Sequence, residues 1–230
     1  MSKKDYGKLI VLDGTDGSGK ATQTKILVKR LKEKGFKVRT LDFPQYYKTF
    51  FGRMAGRYLK GEFGGVSEVG PYLASVLYAA DRWQAKEEMG EWLKQGRIII
   101  SNRYVSANQI HQAAKIRNKK EKEKFLRWLD ELEFKVFKIP RPDIVLYLYV
   151  PYKIGQKLVD KKGYREYIGK KKKDIHEVSR EHLKRAEKQG LELTQKYKNW
   201  TKVNCVHNNK ILPRKVIAEK VWEIVRKILK

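Results

Sequence analysis

The twelve residues LDGTDGSGKATQ, 12–23, constrain this chain more than any other stretch. They follow the apolar run KLIVLD (8–13) and precede a segment where Ile26, Leu27 and Leu31 share one helical stripe. A glycine-rich turn between strand and helix suits phosphate, because glycine lets the backbone wrap inward and aim successive N–H groups at oxygens. The start of the following helix adds the positive end of its dipole. Gly14, Thr15, Asp16 and Gly17 form the first half of the loop and Ser18, Gly19 and Lys20 the second, with Ala21 and Thr22 opening the helix. The G-x-x-x-x-G-K spacing of Gly14, Gly19 and Lys20 predicts an ATP site in which the lysine reaches the β- and γ-phosphates.

One position breaks the pattern. Ala21 stands where a Ser or Thr hydroxyl usually meets Mg²⁺. Thr22 does not replace it directly, since the next residue on a helix points about 100° away. Because Mg²⁺ arrives bridging ATP phosphates, the loss is expected to weaken the metal site rather than abolish it.

Five apolar, β-branched runs read as strands: 8–13, 37–43, 97–101, 143–150 and 202–206. Several are apolar at consecutive positions, as in strands covered on both faces. Helical spacing fills 20–34, 48–60, 70–95, 106–118, 121–136, 151–161, 177–198 and 213–230. In the last segment Val216, Val221, Trp222, Val225, Ile228 and Leu229 mark one face, and Pro213 suits the first turn. This alternation predicts an α/β three-layer sandwich, a five-stranded parallel sheet with helices on both faces. No Pro/Gly/Ser linker divides the chain, so 1–230 reads as one domain.

The charge of +27, from 53 Lys and Arg against 26 Asp and Glu, attracts polyanions without choosing among them. Nucleic acid is therefore expected only through non-specific charge, since no recognition motif accompanies it. Cys205, the single cysteine, excludes an intramolecular disulfide framework and suits a reducing cytoplasm. Neither a signal peptide nor a membrane span is visible, so no membrane partner is expected.

Further blocks carry more specific information: FPQY (43–46), YLKGEFG (58–64), LYAADRW (77–83), NRYVSANQIHQ (102–112) and the basic stretch KKGYREYIGKKKK (161–173). Together with GTDGSGK they resemble the thymidylate kinase family, over most of the chain. The resemblance implies a nucleoside-monophosphate kinase that transfers the ATP γ-phosphate to dTMP, with Mg²⁺ bound alongside ATP, and a homodimer with the helix near 70–80 as candidate surface.

It also implies roles. Asp16 would bind the deoxyribose 3′-hydroxyl; Phe43 and Tyr46 would lie beside the acceptor phosphate. Tyr78 would stack on thymine, and Arg82 would contact base and phosphate, an aromatic face plus an arginine suiting a planar base near negative charge. Alone, Tyr78 reads equally well as a core tyrosine. Arg103 would clamp the acceptor phosphate and Asn108 the thymine edge, with Gln109 and His111 near base and sugar. His111 replaces a frequent tyrosine, so a kinase of the same fold with another deoxynucleoside monophosphate as acceptor stays open.

Asn102 stands where the family carries an aspartate supporting Mg²⁺ or its waters. Asp13 is then the best remaining carboxylate for the metal, or a tie between loop and sheet. The basic stretch falls in a lid, 151–176, where Arg165 or Lys170 to Lys173 would supply the cation that some members carry at the position of Gly17. Lys20, Arg103 and Arg165 are thus the expected catalytic cations. A non-catalytic nucleotide- or nucleic-acid-binding protein is the alternative, motivated by the charge and the thinned metal site.

Overall fold

The computed structural model describes residues 6–65, 68–159 and 179–229. Along the chain run β1 (Lys8–Asp13), α1 (Lys20–Glu33), β2 (Val38–Asp42), α2 (Phe50–Lys60), α3 (Pro71–Gln84), α4 (Lys86–Lys94) and β3 (Ile98–Asn102). A short α5 (Val105–Ala107), α6 (Lys119–Asp130), β4 (Ile144–Tyr149), α7 (Tyr152–Val159), α8 (Arg180–Lys196), β5 (Trp200–Asn204) and α9 (Arg214–Ile228) complete the order. The five strands form one sheet in the order β2-β3-β1-β4-β5, every neighbouring pair parallel.

The consecutive apolar residues of the strands divide by the two-residue period. Leu9 and Val11 enter one core with Met89 and Leu93 of α4, Phe125 and Leu129 of α6, and Leu193 of α8. Ile10 and Leu12 enter the other, with Leu27 and Leu31 of α1 and Ile217, Val221 and Val225 of α9. Each such side chain, removed from water, contributes about 1.5–3 kcal/mol, so a single-residue slip of β1 would interchange two complete cores.

Caps explain several boundaries. The Thr49 hydroxyl accepts from Gly52 N at 2.9 Å at the start of α2, and Asn118 Oδ1 accepts from Glu121 N at 3.1 Å before α6. Each cap of this kind contributes about 1 kcal/mol. Pro71 opens α3, where its missing N–H costs nothing.

The structure corrects some boundaries. The segment 70–95 is two helices, meeting at Ala85 (φ −93°, ψ −2°). The expected helix over 106–118 is the short α5, then a π-helical turn at Asn108–Gln112 and a 3₁₀ turn at Ala113–Lys115. On α9 the buried residues are Ile217, Ala218, Val221 and Val225, while Val216 is 42% exposed. A small antiparallel hairpin, β6 (Val206–His207) and β7 (Lys210–Ile211), comes after β5 and was not expected. Its turn rests on Asn208 and Asn209, both at positive φ.

Candidate functional site

The connection from β1 crosses to β2 on one side of the sheet, whereas β3 leads across β1 to β4 on the other. A crevice opens where such connections part, beyond the carboxyl ends of the strands. A cavity of about 680 Å³ lies there, within the range of small-molecule sites.

The phosphate loop forms one wall. Gly14, Gly17 and Gly19 have φ values of 151°, 80° and 86°, open to glycine without a Cβ penalty. Gly19 caps α1, and Lys20 begins it. Lys20 Nζ turns back to donate to the carbonyls of Gly14 (2.9 Å) and Thr15 (3.0 Å), which braces the loop. Thr15 Oγ1 donates to the Val150 carbonyl at 3.2 Å. Asp16, Gly17, Ser18, Lys20, Ala21 and Thr22 line the cavity; Gly14 and Thr15 lie behind them.

Gly17 has a second constraint. A Cβ there would come within 2.2 Å of the Gly155 carbonyl on α7, and a Cβ on Gly155 would come within 2.4 Å of the Asp16 carbonyl. Loop and helix touch backbone to backbone. No side chain, and so no arginine, fits at position 17 without separating them.

The opposite wall comes from β3 and the segment that continues it. Arg103 sits directly after the strand with φ 65°. Its Nη2 donates to Asp16 Oδ1 at 2.5 Å, and its Nη1 lies 3.2 Å from His111 Nε2. A guanidinium only donates, so Nε2 accepts and this imidazole is neutral. Burial first, and Arg103 second, hold His111 well below the ordinary histidine range. His111 stacks on His182 of α8, ring centroids 5.9 Å apart, and burial lowers His182 to about 4.

Phe43, Tyr46, Tyr78, Arg82, Asn108 and His111 line the same cavity. Tyr78 meets the buried Tyr58 ring edge-on at 6.1 Å, and Asn108 Nδ2 donates to the Ser75 carbonyl at 3.2 Å. Gln109 is buried in the π-helical turn and does not line the cavity. Arg82 is 2% exposed: its Nε donates to Glu133 Oε2 at 2.9 Å, its Nη2 pairs with Glu133 Oε1, and its Nη1 donates to the Tyr104 carbonyl at 3.3 Å. Its guanidinium is thus committed to a buried carboxylate.

The two expected metal residues differ. Both oxygens of the buried Asp13 are engaged, Oδ1 accepting from Gly14 N at 2.8 Å and Oδ2 from Ser106 Oγ at 2.6 Å. That arrangement ties loop to sheet. Asn102 lines the cavity, and its Oδ1 is buried with no hydrogen-bond partner among the described residues. An orphaned acceptor beside a phosphate loop fits a hydrated cation. Among the described residues, no three His, Cys, Asp or Glu side chains cluster as a metal cage. Arg165, Lys170 to Lys173 and most of the expected lid fall outside the described residues.

Four contributors were missed in the sequence. Asp42, at the end of β2, lines the cavity and accepts from Asn102 Nδ2 at 2.8 Å. Although Asp42 is exposed at the mouth, crowding by protein raises its carboxyl above the usual range, with Asn102, Arg103 and Lys20 opposing. Asp81 accepts from Gln45 N at 2.9 Å and from Thr49 Oγ1, so the FPQY loop is held to α3. Arg214 and Ile211, from the unexpected hairpin and the start of α9, complete the far end.

Comparisons with known proteins agree on one family. Residues 12–209 match the family model described as thymidylate kinase. The thymidylate kinase of Plasmodium falciparum is 32% identical over 178 residues, 76% of this chain and 77% of that protein. The human thymidylate kinase is 32% identical over 143 residues, 62% and 60% of the two chains. A solved structure of Candida albicans thymidylate kinase superposes with a TM-score of 0.73 at 22% identity, over 96% of this chain and 92% of the other. The chain therefore belongs to the thymidylate kinase family, the ATP-dependent enzymes that convert dTMP to dTDP.

Proposed function

We propose that this cavity phosphorylates dTMP at the expense of ATP by direct in-line transfer. One observation carries the reading: a single cavity joins the phosphate loop, where Lys20 opens α1, to Arg103, Tyr78 and Asn108. An ionised oxygen of the dTMP phosphate attacks the γ-phosphorus, the bond to the β–γ bridging oxygen breaks, and ADP leaves. No protein nucleophile and no proton transfer is needed; positioning and charge supply the catalysis. Lys20 turns from the loop carbonyls to the β- and γ-phosphates. Arg103 orients the acceptor phosphate, with Phe43 and Tyr46 beside it, and Asp16 takes the sugar 3′-hydroxyl. Tyr78 stacks on the base, and Asn108 sets its edge.

Mg²⁺ bound with ATP would neutralise charge on the phosphates, and Asn102, which lines the cavity, is the expected metal residue placed to hold it or its waters. Arg165 completes the cations around the migrating group from the lid, 151–176. Tyr72, Leu73, Val76 and Trp83 of α3, all exposed, form the surface for a homodimer. We place the enzyme in the cytoplasm, in keeping with its single, buried cysteine.

A coupled assay with dTMP, dUMP, UMP and dGMP, with and without Mg²⁺, tests the reading. Turnover is expected to be highest on dTMP and to require the metal. No turnover on any pyrimidine monophosphate would remove it. A second reading, a broader deoxynucleotide acceptor range, is favoured by the imidazole of His111 at the sugar side, and the same panel decides it.

A further inference from the structure

Two hydroxyl or carboxylate groups expected near ATP-borne Mg²⁺ are missing here, at Ala21 and Asn102. The sheet register shows what lies beside the second gap. β2 and β3 run parallel with Asp42 opposite Asn102, one step beyond Leu41 opposite Ser101. Paired residues on neighbouring strands project to the same face, and the two side chains meet, Asn102 Nδ2 donating to Asp42 Oδ1 at 2.8 Å. That bond fixes the amide. Its other end, Oδ1, becomes a buried acceptor without a partner among the described residues.

A carboxylate at the wall of a phosphate cavity opposes the ligand unless a cation separates them. Lys20 and Arg103 line the same cavity as Asp42. Once a nucleotide enters, these two cations face phosphate, and Asp42 needs another counter-charge. We propose that Asp42 and Asn102 together hold the hydrated Mg²⁺ of MgATP: Asn102 offers the oxygen, and Asp42 supplies the negative charge, moved from β3 to the adjacent position on β2. The inference rests on ATP occupying the phosphate loop.

The test measures metal binding rather than turnover. Mn²⁺ is titrated into the full chain saturated with ADP and followed by electron paramagnetic resonance, while calorimetry measures ADP without metal. Asp42→Asn is expected to weaken Mn²⁺ binding by about tenfold, in the range for lost outer-shell carboxylates, and not to weaken metal-free ADP binding, which loses a repulsion. Adding Asn102→Asp to that variant is expected to restore the Mn²⁺ affinity by returning the charge to β3. Unchanged Mn²⁺ affinity in Asp42→Asn overturns the proposal, as does a loss of metal-free ADP binding equal to the loss with metal, or no restoration in the double variant. Those failures leave the kinase reading intact. Wild-type protein that binds no ADP at all would remove that reading, and this inference with it.

Discussion

Arg103 Nη2 and Asp16 Oδ1 meet at 2.5 Å, joining the end of β3 to the middle of the phosphate loop. Arg103 makes this contact at φ 65°, a left-handed conformation that costs a non-glycine residue roughly 1 kcal/mol or more. Strain of that kind persists where a side chain has work to do. Arg103→Gly relieves the backbone and removes the guanidinium; Arg103→Ala removes only the guanidinium. Both are expected to lose dTMP phosphorylation by about 10³-fold, while the glycine variant melts at the higher temperature. Thermal melts beside a coupled assay decide it, and an alanine variant more stable than the glycine one would contradict the account.

The Arg82–Glu133 pair is a stability prediction. Arg82 is 2% exposed and Glu133 0%, so removing one partner strands the other charge in the core. Glu133→Ala is expected to cost about 3–5 kcal/mol in urea unfolding. The double variant Arg82→Met with Glu133→Leu is expected to recover much of that, because no charge remains buried. A single-variant cost below about 1 kcal/mol, typical of an exposed pair, would show that water reaches the site.

Much of this fold is readable from local chemistry. Glycines 14, 17 and 19 declare backbone requirements, and consecutive apolar residues declare strands buried on both faces. What could not be read depends on partners distant in sequence. Asp42 gains meaning only from the register that sets it opposite Asn102, 60 residues later. Arg82 appears in a motif as a ligand-facing arginine, and nothing near it announces Glu133, 51 residues on. The break at Ala85 carries no glycine or proline, so helical periodicity ran through it. Val216 lost its expected burial because an apolar stripe can be drawn one residue off when neighbours such as Ile217 are also apolar.

The histidine stack makes the protein acid-sensitive in a defined window. His182 falls from 6.5 to about 4 because of burial, with Lys115 and Arg185 adding to the shift and Asp16 opposing it. A depressed folded-state value means that the unfolded chain takes up the proton first. Stability is therefore intact above pH 6.5 and is lost as pH falls toward and through 4. For His182 the loss approaches about 3 kcal/mol near pH 4. His182→Gln should flatten the decline over this interval, and His111→Gln added to it should flatten it further, since burial and Arg103 lower His111 as well. Denaturant midpoints measured across the interval give the answer; parallel curves for wild type and His182→Gln would refute it.

The contact between Gly17 and Gly155 limits how this enzyme can be re-engineered. Some family members carry an arginine after the loop aspartate, which suggests Gly17→Arg as a route to faster transfer. Here φ at Gly17 is 80°, and any Cβ would lie 2.2 Å from the Gly155 carbonyl, a backbone atom that cannot swing aside. An added side chain must therefore push α7 off the loop. Gly17→Ala, which adds only the Cβ, is expected to lower the melting temperature and weaken ATP binding, and Gly17→Arg to do both without raising kcat. Because alanine isolates the steric effect, the pair separates crowding from charge. An arginine variant with wild-type stability and a higher kcat would mean that the loop and α7 part readily, and that the transferring phosphate can be served from position 17 after all.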